Sequence, residues 1–165
     1  MMSGRVVIPI HDERGRLVAY AGRSVDGGQP RYRFPSGFGK SQVLFNFHRA
    51  AATASDTVVV VEGFFDCLRV SQAGYPHVVA LMGAELYETP ARLLQERFAG
   101  VVVLLDGDAA GRKGQAGAVA SLQDKCAVRV VELADGAQPD HLPTRELQRV
   151  LGEHKEIDFV RVLRG

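Results

Sequence analysis

Two rhythms of apolar and polar residues run through this chain. From residue 57 onward, short, largely apolar runs at 57–61, 78–81, 100–105 and 127–133 alternate with segments of helical period. Runs of that length and texture read as strands buried on both faces. The intervening segments 64–73, 90–98 and 111–124 read as helices. Gly74 and Pro76 stop the first. Thr89 is expected to cap the second, with Pro90 at its first helical position. Four strand–helix repeats imply an α/β fold with a mostly parallel, four-stranded sheet and right-handed crossovers.

The first 55 residues keep a different rhythm. Residues 5–10 and 17–22 read as two strands about a turn at Asp12-Glu13-Arg14-Gly15, a β-hairpin. Pro9 favours an edge position for the first strand. Residues 23–42 carry six glycines and prolines (Gly27, Gly28, Pro30, Pro35, Gly37, Gly39) and read as irregular. Residues 46–54 read as a short helix, and residues 144–165 as two more. The expected organisation is therefore a small basic hairpin/loop subdomain (1–55), a Rossmann-like domain (56–142) and a helical extension (143–165). No Ser/Gly tether separates the first two, so they are expected to pack together.

Composition narrows the classes. The chain has 165 residues, 46% hydrophobic and 24% charged, which is a globular balance. No apolar run approaches the roughly 18 residues of a membrane span. Residues 1–5 show no signal-peptide core, so a cytoplasmic location is expected and no membrane partner. Cys67 and Cys126 form no Cys-x-x-Cys pair and no zinc-type spacing with the five histidines, so both are expected to be buried thiols.

Net charge is +1, but it is unevenly spread. Residues 1–55 hold eight Arg/Lys against three Asp/Glu (+5), and residues 56–165 hold twelve against sixteen (−4). A basic front beside an acidic site suits a phosphate polymer with a divalent metal; uneven surface charge without a partner is the alternative. In the front segment Arg23, Arg31, Arg33 and Lys40 interleave with Tyr32, Phe34 and Phe38. Such a loop grips a nucleic-acid backbone and stacks bases, or packs a few aromatics in an ordinary solvated loop. Gly37-Phe38-Gly39-Lys40-Ser41 imitates the end of a P-loop. The glycine that pattern needs five residues before the Gly-Lys pair is Phe34, which excludes it.

The strongest chemistry lies where the strands end. Parallel strands put their C-terminal ends on one rim, the usual ligand edge of an open α/β sheet. Glu62 ends the first strand, Asp106 and Asp108 end the third, and Asp135 and Asp140 follow the fourth. Like charges that close raise one another's pKa, and a divalent cation relieves the repulsion. Oxygen-only donors suit Mg²⁺ or Mn²⁺, which orient phosphates in phosphoryl or nucleotidyl transfer. One Asp-x-Asp is weak evidence. Several acids closing apolar strands at one rim are strong evidence.

These residues carry a family resemblance. Val61-Glu62-Gly63-Phe64-Phe65-Asp66, Ala80-Leu81-Met82-Gly83 and Asp106-Gly107-Asp108-Ala109-Ala110-Gly111-Arg112 resemble the TOPRIM domain, in the version of DnaG-type bacterial primases. Ile8-Pro9-Ile10-His11-Asp12, Ala21-Gly22-Arg23, Pro30-Arg31-Tyr32 and Leu44-Phe45-Asn46 resemble the amino-terminal part of the primase polymerase core. The resemblance covers about residues 4–142. It implies metal-dependent synthesis of short RNA primers from ribonucleotides on single-stranded DNA. It makes Glu62, Asp106 and Asp108 catalytic, and Glu62, Asp106, Asp108, Asp135 and Asp140 metal ligands for Mg²⁺ or Mn²⁺. Arg23, Arg31, Arg33, Lys40, Arg112 and Lys113 become candidates for template or nucleotide phosphates. A replicative helicase is expected to bind through segments outside this sequence.

One departure stands out. Primases of this type read Asp-Gly-x-Asp-Pro-Asp in the last loop, and this chain reads Asp135-Gly136-Ala137-Gln138-Pro139-Asp140. The neutral Gln138 is expected to weaken a second metal. The alternatives are a TOPRIM nuclease or RNA-processing protein, against which the basic front argues, and a non-catalytic nucleic-acid-binding module of a mobile element. The sequence is either a piece of a longer primase or a reduced stand-alone relative.

Overall fold

The computed structural model describes residues 3–152, so the second of the two expected C-terminal helices lies outside the described residues. Strands β1 (Arg5–His11) and β2 (Leu17–Ser24) pair antiparallel about the expected turn. Asp12 holds that turn: its Oδ1 accepts from the backbone N–H of Arg14 (3.0 Å) and Arg16 (2.9 Å). β1 lies at the sheet edge, where Pro9 loses nothing by lacking an N–H.

The stretch expected to be irregular holds a third short strand, β3 (Tyr32–Arg33), paired with β2. Two residues are too few to show a period. A long-range contact organises them: the Arg5 guanidinium donates to the carbonyls of Gly22 (3.0 Å) and Pro30 (2.9 Å). A single 3₁₀ turn at Lys40–Gln42 follows, then α1 (Phe47–Ala51), shorter than expected.

The second sheet comprises β4 (Thr57–Val61), β5 (Val78–Ala80), β6 (Gly100–Val103) and β7 (Ala127–Val130). Its spatial order is β5-β4-β6-β7 and every pairing is parallel, as the largely apolar runs required. The last strands end earlier than those runs, at Val103 and Val130.

Alternate residues of each strand feed opposite faces. Val59, Val61, Val78, Ala80 and Val102 pack against α2 (Phe64–Gln72), α5 (Thr144–Gly152) and the inner face of the hairpin (Ile8, Ile10, Ala19, Ala21). Val58, Val60, Val79, Val101 and Val103 pack against α1, α3 (Glu88–Arg97) and α4 (Ala109–Leu122). Cys67 and Cys126 are buried free thiols. Among the described residues no helix is long and apolar enough to cross a membrane.

Two helix starts differ from expectation. α3 begins before Thr89, because the Ala91 N–H already bonds the Tyr87 carbonyl at 2.9 Å. The Thr89 hydroxyl instead donates to Gln42 Oε1 at 2.9 Å, so it is not available as a cap. α4 begins two residues before Gly111, because Asp108 is the cap: its Oδ1 accepts from the Gly111 N–H at 2.8 Å.

Candidate active site

β4 and β6 are hydrogen-bonded neighbours with Val60 opposite Val103, so the residues just past their ends share one rim. Glu62 leaves β4 there, and Asp106 and Asp108 leave β6. The loop after β7 is tied to the same place. The Gly107 N–H donates to the Ala137 carbonyl and the Gly136 N–H to the Gly107 carbonyl, both at 2.8 Å. A side chain at Gly107 would run into the Ala134 carbonyl oxygen, so the two loops approach this closely only with glycine there.

The rim opens into a cleft of about 300 Å³. Glu62, Asp66, Asp106, Gln138 and Asp140 line it together with Arg23, Arg31 and Lys40. A larger cleft of about 560 Å³ adjoins it across Met82 and Gly83 and carries Lys40, Glu85 and Lys113.

Each acid has a distinct environment. Glu62 is pushed up from an ordinary 4.5 to about 7, first by burial and then by the charges of Asp106, Asp108 and Asp66. Asp106 rises from 3.8 to about 6, again first by burial, then by Asp66, Asp108 and Asp140; Arg31 opposes this. Asp66 is buried and its pKa is raised by that burial. Both its oxygens are used: Oδ2 accepts from the Gly63 N–H at 2.9 Å and Oδ1 from the Asp140 N–H at 3.0 Å. It is a bracket between the start of α2 and the 3₁₀ turn Pro139–His141.

Among the described residues three buried carboxylate oxygens lack a hydrogen-bond partner: Glu62 Oε1, Asp106 Oδ1 and Asp140 Oδ1. His141 Nε2 stands 3.6 Å from the last. Buried oxygens of this kind normally have partners, and orphaned hard oxygens, with Glu62 and Asp106 each raised by burial and neighbouring charge, fit a divalent cation. Among the described residues no three or more His, Cys, Asp or Glu side chains are placed to hold a metal ion between them. Waters or substrate phosphates are then needed to fill the shell, as Mg²⁺ usually requires.

Arg23 is held by aromatics. The Arg23 guanidinium lies 4.0 Å from the Phe65 ring centroid, and its Nη1 donates to the Tyr32 hydroxyl at 3.3 Å. Phe64, the first residue of α2, meets Phe45 edge-on at 4.8 Å and Tyr32 at 5.5 Å. It locks the basic loop over the strand end that carries Glu62. Lys40 Nζ reaches back to the Met82 carbonyl at 3.4 Å, and Met82 itself is a non-glycine residue at φ 60°.

The sequence-expected residues divide. Glu62, Asp106 and Asp140 come together, with Asp108 at the exposed edge beside them. Asp135 does not join them: its side chain is 92% exposed and pairs with Arg112 at 2.9 Å. Arg112 is thereby engaged, and Arg33 is exposed on β3; neither lines a cleft. Two residues were undervalued by the sequence reading. Asp66 was quoted as part of a motif without a role, although its place three residues into a helix after Gly63 signals an N-terminal bracket. Gln138, expected as a weak ligand, is a donor: its Nε2 bonds Asp106 Oδ2 at 3.0 Å.

Comparison with known proteins follows this division of the chain. Residues 59–142 match the Toprim-like family, and residues 1–51 match the N-terminal domain of the DNA primase catalytic core. A DNA primase of Aquifex aeolicus is 35% identical over 164 residues, covering 93% of this chain and 33% of that protein. One of Geobacillus stearothermophilus is 35% identical over 142 residues, covering 82% of this chain and 24% of that protein. The chain thus spans about a quarter to a third of these relatives. The zinc-binding and RNA polymerase domains of the Aquifex aeolicus primase superpose with a TM-score of 0.81 at 34% identity, over 92% of this chain and 40% of that one. A DnaG primase catalytic domain bound to single-stranded DNA superposes with a TM-score of 0.77 at 28% identity, over 91% of this chain and 51% of that one.

Proposed function

This chain belongs to the DnaG-type DNA primase family, and on that premise we propose that its carboxylate cleft joins ribonucleotides into a short RNA primer on single-stranded DNA. The observation that carries this reading is that three orphaned carboxylate oxygens and the cations of Arg23, Arg31 and Lys40 line one cleft of about 300 Å³.

Glu62, Asp106 and Asp140 would hold Mg²⁺ or Mn²⁺, with Asp108 adding charge at the exposed edge. Such an ion supplies charge neutralisation for the phosphates of the incoming nucleotide. Arg23, Arg31 and Lys40 bind template or nucleotide phosphates. Arg23 is held ready by Phe65 and Tyr32, so little side-chain freedom is lost when it binds. The Glu62 oxygen that does not hold the ion takes up the proton that leaves the attacking hydroxyl. Asp66 touches no substrate in this scheme; it holds Gly63 and Asp140 in place. Lys113 faces the adjoining cleft and is assigned to the departing strand or nucleotide. Arg33 and Arg112 have no role at the reacting phosphates.

The test is incubation of the chain with single-stranded template, ribonucleotides and Mg²⁺ or Mn²⁺. Primer synthesis abolished by Glu62→Gln and Asp106→Asn is expected. Cleavage of DNA or RNA in place of synthesis would move the chain to the nucleases. Template binding that survives both variants, with no incorporation by the wild type, would make it a binding module.

A further inference from the structure

We propose that Gln138 limits this site to a single divalent cation, by filling the place a second would take beside Asp106 with its own amide hydrogens. The inference rests on the divalent-ion reading of the cleft given above.

Gln138 turns its side-chain NH₂ toward Asp106 and donates to Oδ2 at 3.0 Å. Its backbone is fixed on both sides. Ala137 accepts from the Gly107 N–H at 2.8 Å, and the Gln138 carbonyl accepts from the His141 N–H at 3.1 Å. The amide is therefore built into the rim.

The buried oxygens left without a partner then form one set. Both Asp66 oxygens are taken by backbone N–H groups, and one Asp106 oxygen is taken by Gln138. Glu62 Oε1, Asp106 Oδ1 and Asp140 Oδ1 remain open. Three oxygens with added water suit one octahedral ion. A carboxylate at position 138 would stand at hydrogen-bond distance from Asp106 Oδ2. Two carboxylates that close do not both ionise without a shared proton or a second cation between them. The neutral amide removes that demand.

The experiment titrates the full chain with Mn²⁺ alone and counts free ion by electron paramagnetic resonance. One bound ion per chain is expected for the wild type. Two are expected for Gln138→Glu, which keeps the shape of the side chain and changes only its charge and donors. Gln138→Asp provides the same reading if the longer side chain fails to fold, and circular dichroism checks both. Two ions on the wild type, one on a folded carboxylate variant, or none on either overturns the proposal. Primer synthesis by a wild type holding two ions would overturn this inference and leave the function standing. One ion without primer synthesis would do the reverse.

Discussion

Removing the charge of Glu62 should stabilise the metal-free protein at neutral and alkaline pH. Its carboxyl rises from 4.5 to about 7, chiefly through burial and secondarily through Asp106, Asp108 and Asp66. The folded state then holds a proton that the unfolded chain has released. The sign follows from linkage: this contribution is fully present below pH 4.5 and is lost as pH climbs through 7. The interval from 4.5 to about 7 corresponds to about 3 kcal/mol at about 1.36 kcal/mol per pH unit. Glu62 is only half-buried, so solvent screening reduces this to about 1–2 kcal/mol. Glu62→Gln keeps the side-chain shape and cannot ionise. In EDTA at pH 8 its urea midpoint should lie about 0.5–1 M above wild type, given a slope of about 2 kcal/mol/M. At pH 5 the two midpoints should nearly coincide. Mn²⁺ should restore the wild type at pH 8 and do little for the variant. A gap that is the same at both pH values, or a variant less stable than wild type at pH 8, refutes the reasoning.

Other variants separate roles that lie close together. Asp108→Ala should cost about 1 kcal/mol by removing the α4 cap, while Asp108→Ser keeps most of it; equal losses in thermal denaturation would refute the cap. Asp135→Ala should leave Mn²⁺ binding intact and cost under about 1 kcal/mol, as an exposed ion pair does, whereas Asp140→Ala should lose the ion. Arg31→Ala with Lys40→Ala should weaken binding of a single-stranded oligonucleotide and flatten its log–log salt slope by about 1.4, two contacts at about 0.7 each. An unchanged slope would remove both from the phosphate track. Gly107→Ala should cost about 1–3 kcal/mol as an overpacking substitution, because its methyl meets the Ala134 carbonyl; wild-type stability would show that the two loops separate freely.

The parallel sheet was readable because 57–61, 78–81 and 100–105 are apolar without interruption, a texture only a doubly covered strand explains. The rim carboxylates were readable because Glu62 and Asp106 each break such a run. The rest depends on contacts between residues far apart in sequence. β3 is set by Arg5 reaching across to Gly22 and Pro30. The partition of Asp135 from Asp140 depends on Arg112 drawing the former outward, and one acid looks like another along the chain. The donor role of Gln138 needs the fold, since an amide's orientation is decided by its neighbour and not by its spacing. Thr89-Pro90 misled because a good capping dipeptide begins one residue inside a helix whose first bond is already made.

The segment between the hairpin and the parallel sheet has a consequence for self-association. β5 is the outer strand of that sheet, and its free side would expose unpaired backbone to any passing chain. Phe45 occupies it: it exchanges both backbone bonds with Ala80, at 3.0 and 3.1 Å, and the Asn46 side chain takes the Val78 carbonyl at 2.9 Å. Residues 45 and 46 thus act as a molecular bung on an otherwise adhesive seam. A shortened protein beginning at residue 56 would keep its carboxylates and bare that seam, and strand-to-strand oligomers would compete with folding before any chemistry could be assayed.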